Sequence, residues 1–81
     1  MRVKLTKSAA KYFKGINEPF KGRIRKGLEG LALNPPQGDI KKLANSEIYR
    51  LRIGGYRALY VIENTSIIVY KIAPRGEAYK D

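Results

Sequence analysis

The stretch Tyr49-Arg50-Leu51-Arg52-Ile53-Gly54-Gly55-Tyr56-Arg57-Ala58-Leu59-Tyr60 constrains the fold of this chain more than any other. Apolar and polar residues alternate on both sides of a Gly-Gly pair, the pattern of two strands joined by a two-residue hairpin turn. The turn sets the register: Ile53 faces Tyr56, Arg52 faces Arg57 and Arg50 faces Leu59. Side chains alternate between the faces of a strand, so Arg50, Arg52 and Arg57 share one side of the sheet. Tyr49, Leu51, Ile53, Tyr56, Ala58 and Tyr60 share the other. Like charges placed directly opposite one another destabilise a sheet, so the Arg52/Arg57 pair predicts that an anion normally arrives between them.

The chain has 81 residues, enough for a single domain spanning 1-81 with one thin core. A domain of this size buries only roughly 60% of the surface its unfolded form exposes, so a permanent protein partner is physically useful to it. Seventeen Lys and Arg against seven Asp and Glu give a formal net charge of +10, which predicts an acidic partner, nucleic acid first. An acidic protein is the rival. An anionic membrane is disfavoured because the apolar faces are committed to a core. No cysteine is present, no apolar run approaches membrane-spanning length and no signal-peptide pattern is seen at the start, so the chain reads as cytoplasmic.

Along the chain, Val3 and Leu5 alternate with Arg2 and Lys4, predicting a short edge strand ended by Thr6 as a helix N-cap. Ala9, Tyr12, Phe13 and Ile16 recur at helical spacing up to a stop at Gly15 and Asn17. Asn17 or Glu18 before Pro19 opens a second helix, with Phe20, Ile24, Leu28 and Leu31 as one stripe and Lys21, Arg23, Arg25 and Lys26 on its other faces. Asn34-Pro35-Pro36 ends it near Leu33. Residues 37–46 read as a loop with a turn at 40–43. Three strands follow at about 47–53, 56–63 and 66–72. The order β-α-α-β-β-β predicts an α+β fold of two layers, a helical hairpin on an antiparallel sheet. The last strand is apolar on both faces, which predicts a central position or a covered second face.

The absence of histidine and cysteine excludes Ser-His-Asp and Cys-His nucleophilic sites, histidine-paired ribonuclease chemistry and histidine-ligated metals. The carboxylates Glu18, Glu29, Asp39, Glu47, Glu63, Glu77 and Asp81 are scattered with no telling spacing, so no cofactor or metal is expected. Arginine and tyrosine remain, and they suit holding a phosphodiester and neutralising its transition state. RNA brings its own nucleophile, the 2′-hydroxyl, so a protein has only to align it, assist proton transfer and stabilise charge. The competing reading of Arg50, Arg52 and Arg57 is merely exposed charge on a solvated sheet face.

The hairpin, preceded by Lys42-Leu43 and followed by Ile72-Ala73-Pro74-Arg75-Gly76-Glu77-Ala78-Tyr79, resembles the RelE branch of the RelE/ParE toxin superfamily. The resemblance covers nearly the whole chain, and its specific part is the hairpin with the Arg75-to-Tyr79 ending. It implies a toxin of a type II toxin–antitoxin pair that cleaves mRNA on the ribosome. By that resemblance Arg50, Arg52, Arg57, Arg75 and Tyr79 form the catalytic set: Arg57 holds the scissile phosphate, Arg75 stabilises or protonates the leaving oxygen and Tyr79 orients a base. Lys21, Arg25, Lys26, Lys41 and Lys42 are the accompanying RNA-binding candidates. The well-known family member carries lysines where this chain has Arg50 and Arg52, and a guanidinium is a poor proton acceptor. The general base is thus open between Tyr79, Arg52 and a ribosomal group. The implied partners are an acidic antitoxin, the ribosome with its mRNA, and operator DNA reached through the antitoxin complex. A ParE-like gyrase inhibitor and a non-catalytic RNA- or ribosome-binding module are the alternatives.

Overall fold

The computed structural model describes residues 1–74, and Arg75 and Tyr79 lie outside the described residues. Strand β1 (Arg2–Leu5) leads into helices α1 (Lys7–Lys14) and α2 (Phe20–Leu31), followed by β2 (Asp39–Lys42), β3 (Tyr49–Ile53), β4 (Tyr56–Glu63) and β5 (Ser66–Pro74). The five strands form one mixed sheet in the order β1-β5-β4-β3-β2. Its strands β2 to β5 run as an antiparallel meander, and β1 pairs in parallel with β5. The two-layer α+β architecture and the edge position of β1 are as expected from the sequence, and β5 is an internal strand. Among the described residues no helix is long and apolar enough to cross a membrane.

The hairpin register also holds: Ile53 pairs with Tyr56, Arg52 with Arg57 and Arg50 with Leu59. Gly54 adopts φ 57°, a left-handed conformation open to glycine without steric cost, and so makes the turn possible. The mixed polarity of β5 comes from a bulge. Leu59 pairs with Lys71 but Tyr60 pairs with Val69, leaving Tyr70 as the extra residue. Alternation therefore changes phase there, so Ile67 and Val69 on one side of the bulge and Ile72 on the other all enter the same core.

One element departs from the sequence reading. Residues 39–42, expected within a loop, form strand β2 against β3. With a single apolar residue, Ile40, the segment has too little periodicity to announce itself; the free backbone edge of β3 recruits it. Ile40 sits opposite Leu51 and packs against the core. The element order is accordingly β-α-α-β-β-β-β.

The helices cover one face, α1 along β5 and α2 along β3. Thr6 caps α1, its Oγ1 accepting from the Ala9 backbone N–H at 3.3 Å. Glu18 Oε1 accepts from the Gly22 N–H at 2.9 Å and so satisfies a free donor in the first turn of α2. Ile24, Leu28 and Leu31 of α2 bury against Leu51, Ala58, Tyr60, Ile67, Val69 and Ile72 of the sheet. Phe20, expected in the same stripe, is instead largely exposed at the start of α2, its ring tilted against Tyr56 with centroids 6.1 Å apart.

Candidate nucleic-acid interface

Strand register assembles the polar face of the sheet in two rows. Asp39, Arg52, Arg57 and Ala73 lie side by side across β2, β3, β4 and β5, and Lys41, Arg50, Leu59 and Lys71 form the adjacent row. The sheet thus brings Arg50, Arg52, Arg57 and Lys41 to one face, opposite the helices. Lys71 joins them although the sequence reading passed over it, because the bulge at Tyr70 obscures its phase.

The three arginines differ in environment. Arg52 is exposed, whereas Arg50 and Arg57 are only 8% and 4% exposed, so the competing reading of a solvated sheet face does not hold for two of them. The register partners of these two, Leu59 and Ala73, belong to an apolar cluster with Leu43, Ile48 and Tyr70. Arg50 Nη2 donates to Asp39 Oδ1 at 2.9 Å, and Arg52 Nε stands 3.7 Å from Asp39 Oδ2. Arg57 has a different partner: its Nη1 donates to the Tyr56 carbonyl at 3.3 Å, and among the described residues no carboxylate pairs with it. Among the described residues, the buried Nε atoms of both Arg50 and Arg57 have no hydrogen-bond partner. A buried donor without an acceptor costs free energy, and an incoming phosphate oxygen is a chemically suitable acceptor.

The remaining candidates lie elsewhere. Lys42 points to the other side of β2 from Lys41, pairs in register with Tyr49, and is 3.9 Å from Glu47. Lys21 and Arg25 flank Phe13 at 5.6 and 5.8 Å from its ring centroid, and Lys26 is exposed on the same helix. These three belong to the helical layer, across the sheet from the arginine face. Asp39, one of the scattered carboxylates in the sequence, is the acidic member of the site, and no local signal marks it, because its place depends on the pairing of β2 with β3.

Comparison with known proteins decides the kinship. A family model described as the ParE toxin of type II toxin–antitoxin system, parDE, matches residues 3–79. The protein named "Putative toxin RelE1" of Methanocaldococcus jannaschii is 35% identical over 85 residues, covering 98% of this chain and 94% of that protein. This chain belongs to the RelE/ParE toxin superfamily. The archaeal RelE-RelB complex from Pyrococcus horikoshii contains a chain 28% identical to this RelE/ParE member, with a TM-score of 0.70 and coverage of 94% and 96%. The isolated E. coli RelE toxin shares the RelE-like fold at a TM-score of 0.76, with 18% identity and coverage of 96% and 89%. The RelE/ParE fold in this chain is therefore a scaffold that turns two buried arginines and one exposed arginine toward the same side.

Proposed function

We propose that this chain is a ribosome-dependent mRNA endoribonuclease that cleaves by attack of the RNA's own 2′-hydroxyl. The observation that carries the reading is Arg57: buried, opposite Arg52 in the sheet, and paired with no carboxylate among the described residues. In this reading Arg57 holds the scissile phosphate and Arg50 and Arg52 flank it. Arg75 stabilises the leaving 5′-oxygen and Tyr79 orients a base. The 2′-hydroxyl gives up its proton to Tyr79, Arg52 or a ribosomal group as its oxygen attacks phosphorus and the bond to the 5′-oxygen breaks. The departing oxygen takes up a proton from Arg75 or solvent, giving a 2′,3′-cyclic phosphate and a 5′-hydroxyl. Alignment by the ribosome lowers the barrier where the arginines themselves are poor proton acceptors. Two toxin-fold relatives stand in complexes named for a RelB antitoxin, which supports an acidic antitoxin as partner here. An open groove of about 690 Å³ lined by Lys11, Tyr12, Ile16, Phe20 and Tyr56 on the helical side offers it a largely apolar seat with one lysine.

Programmed ribosomes carrying a defined mRNA test the reading. Cleavage should leave the cyclic phosphate, persist in excess chelator with ribosome integrity controlled, and stop when the attacking 2′-hydroxyl is replaced by 2′-methoxy. Products with a 5′-phosphate, or cleavage that survives the replacement, sink the mechanism.

The family model's description as a ParE toxin favours one second reading, gyrase inhibition by the same fold. It predicts intact mRNA together with gyrase-linked DNA breaks.

A further inference from the structure

Asp39 is an acidic group on the arginine face to which the proposed reaction gives no role. It sits on edge strand β2, directly opposite Arg52 in register, with its side chain 54% exposed. Its two oxygens go to two different guanidiniums, Oδ1 to Arg50 Nη2 at 2.9 Å and Oδ2 to Arg52 Nε at 3.7 Å. Two oxygens on one centre, each facing an arginine donor, is also how the non-bridging oxygens of a phosphodiester would meet this pair.

We propose that Asp39 is an internal stand-in for a backbone phosphate, a positioning residue that holds and neutralises Arg50 and Arg52 until RNA displaces it. Arg57, which has no such carboxylate among the described residues, receives the first phosphate. A neighbouring phosphate reaches Arg50 and Arg52 only by exchanging with the carboxylate. Such an exchange swaps one anion for another, so the pair adds little to the affinity for free single strands. The exposure of Asp39 makes the exchange physically open, since a half-solvated carboxylate regains water when it leaves. Arg50, by contrast, is buried and stays where β3 places it. The device therefore restrains indiscriminate binding by a strongly basic chain while keeping the guanidiniums in place. This inference rests on the nucleic-acid reading of the arginine face but not on cleavage.

Binding of a short single-stranded RNA carrying 2′-methoxy on every residue tests it with the full chain, free of ribosomes and of chemistry. Asp39→Asn keeps an oxygen able to accept from Arg50 and removes the charge. It should tighten binding about three- to tenfold at about 50 mM salt, and steepen the log–log salt slope by about 0.7 for each phosphate gained. Asp39→Glu, which restores the charge, should return both values to those of the parent. Parental affinity and slope in Asp39→Asn, or weaker binding, overturn the proposal. Should Asp39→Asn melt too early to measure, Asp39→Ser takes its place; if both unfold, Asp39 is a structural strut and the proposal falls. Absence of RNA binding by parent and variants alike removes the interface reading and this inference with it, whereas RNA binding with the parental response removes this inference alone.

Discussion

Tyr49 and Tyr60 stack across β3 and β4 with ring centroids 5.2 Å apart and planes 10° from parallel. The pair lies on the helix side of the same two strands whose other side carries Arg50 and Arg57, so the packing that anchors the sheet also fixes the level of the arginines. Burial raises the Tyr60 hydroxyl above its ordinary value of 10.0, and the neighbouring Tyr49 raises it further. A raised pKa means that the unfolded chain gives up this proton at lower pH than the folded one. The stabilisation is therefore complete below pH about 10 and is lost as pH rises through the folded value. Urea midpoints measured between pH 9 and pH 11, taken as about one unit either side of the ordinary tyrosine value, should fall less steeply in Tyr60→Phe than in the parent. Equal slopes would show that Tyr60 does not ionise with unfolding.

Arg57 is buried beside a like charge with its Nε unsatisfied among the described residues, so its presence here is explained by function better than by stability. Arg57→Met should abolish growth inhibition while leaving the domain equally stable or more stable by about 1 kcal/mol, because a buried charge with no carboxylate partner among the described residues gives way to an apolar group of similar length. Thermal melts alongside a growth assay at matched expression check both halves. A variant that is still toxic, or one destabilised by several kcal/mol, contradicts the assignment.

Gly27 of α2 lies against the end of the hairpin. A Cβ placed there would sit 2.8 Å from Ile53 Cγ1 and 2.9 Å from its Cδ1. Alanine gains about 1 kcal/mol in helix propensity, but overpacking costs about 1–3 kcal/mol, so Gly27→Ala should be neutral to destabilising by about 2 kcal/mol. Gly15→Ala, whose nearest neighbour would be at 3.6 Å, is the control without a clash. A clear gain in stability for Gly27→Ala would mean that Ile53 moves aside freely.

Lys41 shares the arginine face, whereas Lys21, Arg25 and Lys26 belong to the opposite layer. Lys41→Ala should reduce the salt slope for a short RNA by about 0.7, the contribution of one phosphate contact. Replacing Lys21, Arg25 and Lys26 together should leave that slope nearly unchanged and weaken only association with whole ribosomes, which are large enough to meet both layers. Short-oligonucleotide titrations beside ribosome co-sedimentation separate the two effects. A matching loss of slope in the triple variant would place RNA on the helical side.

The hairpin was legible in the sequence down to its register because alternation and turn chemistry are local and agree with each other. Strand β2 was not, since one isoleucine among four residues carries no period and its partner is supplied by β3. Gly38, at φ 134° and with a would-be Cβ 2.7 Å from Leu51 Cδ1, marks the entry to that strand, but only once Leu51 is known to pass beside it. The sharing of a face by Arg50, Arg52 and Arg57 followed from parity alone. The burial of Arg50 and Arg57 did not, because it depends on what the sheet brings alongside them. Asp39 was hidden for the same reason: its distance in sequence from Arg50 says nothing until β2 and β3 are paired.

The parallel pairing of β1 with β5 ties residues 2–5 to residues 66–69, near opposite ends of the described chain. A nascent polypeptide halted before residue 66 has no β5, and without β5 the first strand has no neighbour and α1 no bed to lie on. The arginine hairpin itself is made earlier, but the sheet that holds it is closed by β5, the last of the described strands to be translated. Under the proposed function, a ribosome that stalls on this message before β5 is made therefore releases a fragment with no completed weapon.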